Sequence, residues 1–169
     1  MNLQLSEKEK TLLQDQLKHE SICIQKYTNY AAQASDPELQ QLFSSLASQE
    51  QQHYSTIEKI LNGQQPNIGQ NQSQIQQNQN QDQYQSQQNT QAANMQYEQA
   101  DMSNEMASQG DTTLCTDMLM TEKFVSGSYD TAVFESKNPQ VVQALQHIQK
   151  EEQEHGQKIQ KYLNSKGLQ

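Results

Sequence analysis

The sequence predicts an all-α fold, a four-helix bundle made of two repeated helical hairpins joined by a long glutamine-rich crossover. Two observations support this prediction. Residues 11–63 align with residues 113–165 at a constant offset of 102, with 15 identities in 53 positions and no gap. Within each copy, apolar residues recur every three or four positions, which is the period of an amphipathic helix. Each copy is therefore expected to fold as two helices.

The first hairpin, residues 1–63, carries a start signal for each helix. Ser6 and Glu9 form a capping box, in which each side chain satisfies a backbone N–H group left free at a helix start. Asp36 precedes Pro37, and a capping side chain followed by proline is typical of the first positions of a helix. We expect helices over about residues 6–34 and 37–62.

Residues 64–110 are predicted to be a Gln/Asn-rich flexible connector. Between residues 64 and 91, 19 of 28 residues are Gln or Asn, so the segment has too few apolar side chains to offset the entropy of ordering. A short helix within residues 92–111 is an alternative, although the apolar period there is irregular. The second hairpin, residues 111–169, is predicted to hold helices at about 112–136 and 139–164, the latter starting at Asn138-Pro139.

Charge and composition exclude several classes of protein. The formal net charge is −9 and the sequence contains no arginine, so it lacks the basic patch that phosphate contacts need, and we expect no nucleic-acid partner. No window approaches the roughly 20 apolar residues of a membrane span, and the charged N-terminus lacks the apolar run of a signal peptide. We therefore expect no membrane partner and synthesis in the cytoplasm. Cys23 and Cys115 form no C-x-x-C pair and are expected to be reduced.

Six ionisable residues interrupt the apolar stripes of the predicted helices. Each copy contributes one glutamate from its first helix and a Glu-x-x-His motif from its second helix. Within each hairpin the two glutamates are nearly equidistant from the turn, so they face each other, and the histidine follows one turn along. The six residues are Glu20, Glu50, His53, Glu122, Glu152 and His155.

Four carboxylates cannot be buried together without compensation, because desolvation costs several kcal/mol per ion and the charges repel each other. Two divalent cations would neutralise the four glutamates with both histidines uncharged. Mixed carboxylate and imidazole ligands suit iron, manganese or zinc better than calcium or magnesium. We therefore predict that the six residues bind two divalent metal ions. The alternatives are a protonated or water-bridged polar core and a degenerate relict of a metal site.

These residues carry a family resemblance. The C-terminal copy, running from DMLMTEKF to KYLNSKG, closely resembles the coat F domain of bacterial spore coat proteins, and the N-terminal copy is similar to it. Together they resemble the ferritin-like superfamily. The resemblance implies a location in the spore coat, other coat proteins as partners, and two ions of iron or manganese. It also implies that Glu50 and Glu152 bridge the metals, whereas the other ligands bind one metal each: Glu20, Glu122, His53 and His155.

Three functions stay open on the sequence. A dimetal centre could turn over peroxide or dioxygen, and because this chain has no C-x-x-C pair of the kind found in rubrerythrins, any electron donor would be another protein. Alternatively, the chain is a non-catalytic structural component of the spore coat. Iron storage ranks third, because it would need a hollow homo-oligomer; both a monomer and a homo-oligomer fit the sequence.

Two smaller features near the predicted ligands also have two interpretations each. Tyr27 and Tyr129 follow Glu20 and Glu122 by two helical turns, so they are either core aromatics or phenols that hydrogen-bond a ligand carboxylate or act as a redox relay. The small residues 126–128 could open a path for a substrate, or reflect simple divergence between the two copies.

Overall fold

The computed structural model describes residues 3–66 and 97–168, and it contains four helices. Helices α1 (Glu7–Gln33) and α2 (Pro37–Leu61) pack against each other as one hairpin, and α3 (Tyr97–Glu135) and α4 (Pro139–Ser165) pack as the other. The hairpins join through contacts of α1 with α3 and of α2 with α4. The predicted all-α bundle of two hairpins is confirmed. None of the described helices combines the length and apolar character that a membrane span requires.

The predicted helix starts rest on local hydrogen bonds. The Ser6 hydroxyl accepts a hydrogen bond from the Glu9 backbone N–H at 3.2 Å, and the Glu9 carboxylate accepts one from the Ser6 backbone N–H at 2.9 Å. The side chains of Asp36 and Asn138 cap α2 and α4 in the same way, each directly before a proline. Three of the four helices therefore begin within one residue of the expected position.

Helix α3 is longer than predicted, because it begins at Tyr97 instead of near residue 112. Residues 97–110, predicted as part of the flexible connector, are helical, which agrees with the alternative of a helix within residues 92–111. This stretch contains no proline, and its Ala, Glu, Gln and Met residues favour helix. Extending an existing helix also costs less than starting a new one, so an irregular apolar period does not prevent the extension. Residues 67–96 of the predicted connector lie outside the described residues.

A pseudo-twofold axis relates the two hairpins. The Glu9 carboxylate accepts hydrogen bonds from the backbone at the α3–α4 turn, and Asp111, 102 positions later, accepts them from the backbone at the α1–α2 turn. These contacts join the start of α1 to the end of α3, so α1 and α3 are antiparallel. Consequently, α2 ends at one end of the molecule, and α3 enters the bundle at the other end.

Two apolar clusters fill the bundle and leave a polar layer between them. One cluster, which includes Leu13, Ile57 and Leu145, lies toward the start of α1. The other, which includes Phe43, Met118 and Ile159, lies toward the α1–α2 turn. Both cysteines are free, in agreement with the prediction of reduced thiols, and both are fully buried. The residues that interrupt the apolar stripes lie between these clusters.

Candidate metal centre

All six predicted ligand residues meet in the polar layer, and each is at most 3% exposed. Their potential ligand atoms form two groups, within each of which every atom lies within 4.8 Å of the others. Glu50 and Glu152 belong to both groups. One group is completed by Glu20 and His53, and the other by Glu122 and His155.

Helix periodicity and the pseudo-twofold axis together produce this convergence. The three-residue spacing of Glu50 and His53 places both side chains on one face of α2, and α4 repeats the arrangement. Helix α1 adds Glu20 to the layer, and helix α3 adds Glu122. The layer is therefore built from four helices, none of which could assemble it alone.

The two histidines point the same ring atom at the centre. His53 Nδ1 lies 2.9 Å from a Glu152 oxygen, and His155 Nδ1 lies 2.8 Å from a Glu50 oxygen. The two rings stack, with centroids 5.5 Å apart. Each Nε2 atom faces outward, toward Glu151 at 2.9 Å in one case and toward Gln49 at 2.7 Å in the other. With Nε2 donating outward, each Nδ1 would be free to bind an ion between the carboxylates once it is deprotonated.

One oxygen of each glutamate has no hydrogen-bond partner. The Oε2 atoms of Glu20, Glu50, Glu122 and Glu152 are buried and unpartnered. Within residues 3–66 and 106–168, Ser136 Oγ is the only other buried side-chain atom in this condition. An unsatisfied buried acceptor costs about 1–3 kcal/mol, and more when it is charged. Hard oxygen donors combined with imidazole nitrogens fit a pair of divalent transition-metal ions.

The pKa values divide the four glutamates into two pairs. Burial raises the pKa of Glu20 and Glu122 well above the usual value. Burial acts on Glu50 and Glu152 as well, but hydrogen bonds with the two histidines outweigh it and lower the pKa of both. Burial would lower the pKa of His53 and His155, but hydrogen bonds to carboxylates raise it. Without cations, these shifts favour the neutral carboxyl at Glu20 and Glu122 and the protonated imidazole at both histidines.

The two buried tyrosines connect the hairpins at this layer. Tyr27 donates a hydrogen bond to Glu122, and Tyr129 donates one to Glu20. Burial raises the pKa of both phenols, so both remain protonated donors. Each tyrosine is therefore both a core aromatic and a hydrogen-bond partner of a ligand carboxylate. The sequence did not say which ligand carboxylate each tyrosine would meet, and the observed partner lies in the other hairpin.

Two residues that contact the histidines were missed in the sequence. Gln49 and Glu151 directly precede the glutamates of the two Glu-x-x-His motifs, and each accepts a hydrogen bond from a histidine of the opposite hairpin. Both residues stand at the same position in the repeat, directly before the Glu-x-x-His motif, and this repetition could have identified them in the sequence. They were overlooked because a residue next to a buried position normally faces solvent.

Comparison with known families agrees with this geometry. The Rubrerythrin family model matches residues 11–113, which is more than half of the chain. The Coat F domain model matches residues 110–168, and it indicates a protein of the spore coat. No curated protein and no solved structure matches the chain. The chain therefore belongs to the rubrerythrin family of ferritin-like proteins, and its second hairpin is a Coat F domain.

Proposed function

We propose that this protein is a spore coat-associated ferritin-like protein that binds a carboxylate-bridged pair of iron or manganese ions. The observation that carries the proposal is the set of four unpartnered carboxylate oxygens beside two inward-facing imidazole nitrogens. Glu50 and Glu152, which belong to both ligand groups, would bridge the ions. Glu20 with His53 would complete one position, and Glu122 with His155 the other.

The paired ions would supply two-electron redox chemistry toward peroxide or dioxygen. The side chains of this protein would orient the ligands and hold protons next to them. Tyr27 and Tyr129 hold Glu122 and Glu20 through hydrogen bonds, which fixes the carboxylate geometry. The apolar clusters on either side restrict access of water to the layer along the bundle axis. We propose an external protein as the electron donor, because the sequence of this chain contains no C-x-x-C pair.

The second candidate is a non-catalytic structural component of the spore coat. The Coat F match supports this function without implying a reaction. Protons can neutralise the polar layer in place of cations, which would let the bundle stand without metal. The exposed aromatic side chains of α3, Phe124 at 66% and Phe134 at 89%, offer apolar surface for contact with other coat proteins or with a second copy of the chain.

Elemental analysis after expression in medium containing both metals tests the proposal. We expect about two ions of iron or manganese per chain, lost in Glu50→Ala and kept in Glu58→Ala, an exposed glutamate of the same helix. A stable bundle that retains no metal would refute the dimetal proposal and favour the structural candidate. Peroxide consumption by the loaded protein, absent in Glu50→Ala, would identify an enzyme.

A further inference from the structure

The two metal positions have equivalent ligands but different surroundings. The offset of 102 pairs Gln49 with Glu151, and these two residues receive the outward N–H groups of the ligand histidines. His53 Nε2 lies 2.9 Å from the Glu151 carboxylate. His155 Nε2 lies 2.7 Å from the amide oxygen of Gln49. One imidazole is therefore supported by a charged acceptor and the other by a neutral one.

The neutral acceptor is also shared with a cation. Lys158 Nζ donates to the same Gln49 oxygen at 3.2 Å, which fixes the amide orientation and divides its acceptor capacity. A carboxylate that accepts from a ligand histidine makes the imidazole a stronger donor to the metal, and losing such a partner typically lowers metal affinity 10- to 100-fold. On this ground, the position of Glu20 and His53 is expected to bind its ion more strongly than the position of Glu122 and His155.

A groove of about 410 Å³ opens between α3 and α4, and Glu122 and Glu152 contribute to its wall. Gly156 and Ser126 also line it. A Cβ atom at residue 156 would lie 3.9 Å from the Glu122 Cβ, so a side chain there would stand over this glutamate without a backbone clash. Glycine leaves that space empty.

The first hairpin carries large residues at the corresponding positions. The offset of 102 pairs Gly156 with Tyr54 and Ser126 with Ile24, and both of these larger side chains are half-buried. By the internal symmetry, the Tyr54 side chain is expected to cover Glu20 on the side where Gly156 leaves Glu122 without a covering side chain, although neither glutamate is more than 2% exposed. The more open surroundings and the weaker histidine support both belong to the position of Glu122 and His155. These two differences rest on separate residues.

On the basis of the proposed dimetal function, we propose that the two positions are inequivalent: the Glu20–His53 position retains its ion, whereas the Glu122–His155 position exchanges its ion and meets peroxide-sized molecules through the Gly156 groove. Glu151 is a positioning residue, because it acts on the metal through His53. The small residues 126–128 contribute only partly to this path, because Ser126 lines the groove and Gly127 and Ser128 line a different depression.

Calorimetric titration of the metal-free, full-length protein with Mn²⁺ tests the affinity difference. Glu122→Ala leaves only the retained position, and Glu20→Ala leaves only the exchanging one. We expect Mn²⁺ to bind about 10- to 100-fold more tightly to Glu122→Ala than to Glu20→Ala. Adding Glu151→Gln to Glu122→Ala should remove most of that difference. Adding Gln49→Glu to Glu20→Ala should strengthen its binding.

A matched control separates the histidine contact from general charge. Glu154→Gln removes one exposed carboxylate from the same helix without touching a ligand, and it should leave Mn²⁺ affinity unchanged. Equal affinities of the two single-position variants, or equal effects of Glu151→Gln and Glu154→Gln, would overturn the inference. If two Mn²⁺ ions bind with equal affinity, only this inference fails. If the wild type binds none, the proposed function fails with it.

Release of Mn²⁺ to excess EDTA tests the groove. The wild type should release one ion rapidly and one slowly. Gly156→Tyr, which copies the first hairpin, should abolish the fast phase, whereas Gly156→Ala should preserve it because a Cβ fits. Tyr54→Gly should accelerate the slow phase, which keeps the test decisive even if Gly156→Tyr does not fold. A fast phase that survives in folded Gly156→Tyr, or a slow phase unchanged by Tyr54→Gly, would refute the proposed path.

Discussion

Replacing Glu9 with glutamine tests how one hairpin stabilises the other. The Glu9 carboxylate accepts four hydrogen bonds, from the backbone and hydroxyl of Ser6 and from the backbone N–H groups of Lys137 and Asn138, at 2.8–3.0 Å. Burial opposes ionisation here, but these hydrogen bonds outweigh it and lower the pKa of Glu9 from 4.5 to about 2. The group is therefore a sensitive probe of the contact between α1 and the α3–α4 turn.

The pKa shift sets the size and the pH range of the effect. A shift from 4.5 to about 2 corresponds to about 3 kcal/mol of stabilisation by the ionised form, at 1.36 kcal/mol per unit. Because the folded-state pKa is the lower one, this stabilisation is complete above pH 4.5 and is lost as the pH falls toward 2. At pH 3 the linkage relation leaves about 1.4 kcal/mol. Glu9→Gln, whose amide nitrogen cannot accept from Ser6, should lose about 2–3 kcal/mol at pH 7.

Urea unfolding of the metal-free protein, followed by circular dichroism at pH 7 and pH 3, measures this effect. The metal-free form is needed because ligand binding would add its own stabilisation. The difference between wild type and Glu9→Gln should shrink by about half or more at pH 3. Glu7→Gln, an exposed glutamate in the same turn, should cost at most about 0.5 kcal/mol at both pH values. A Glu9→Gln cost that is the same at both pH values would refute the reasoning.

Three further predictions concern the metal layer and the other turn. Tyr27→Phe removes the hydrogen bond to Glu122 and should lower Mn²⁺ affinity about 10- to 100-fold in calorimetry; Tyr30→Phe, whose hydroxyl contacts Asp117 instead, should not. Mn²⁺ binding at pH 7 should release protons, because the pKa of Glu20 is raised by burial; calorimetry in buffers of different ionisation enthalpy would contradict this if the apparent enthalpies were equal. Asp111→Ala leaves two N–H groups of the α1–α2 turn without their acceptor and should cost about 2 kcal/mol in urea unfolding, and a cost below about 0.5 kcal/mol would contradict it.

Much of the site was predictable because its information is local and repeated. Glu50 and His53 lie three residues apart on a stripe that is otherwise apolar, and the second copy repeats both the spacing and the interruption. An amphipathic helix buries whatever lies on its apolar stripe, so the burial of these side chains follows from the period alone. The capping residues Ser6 and Asp36 were predictable for the same reason, since a cap contacts only its own helix.

The sequence by itself therefore determined which side chains enter the core and where three of the helices begin. Only the tertiary structure decided which groups meet across the two hairpins. Tyr27 contacts the glutamate of the opposite hairpin, Glu9 caps a turn 128 residues away, and Glu151 supports His53 of the other copy. Periodicity sets the face of a helix, but the partner of that face depends on how the hairpins cross and on their relative height. Those quantities are set by packing of the whole bundle, which no local pattern encodes.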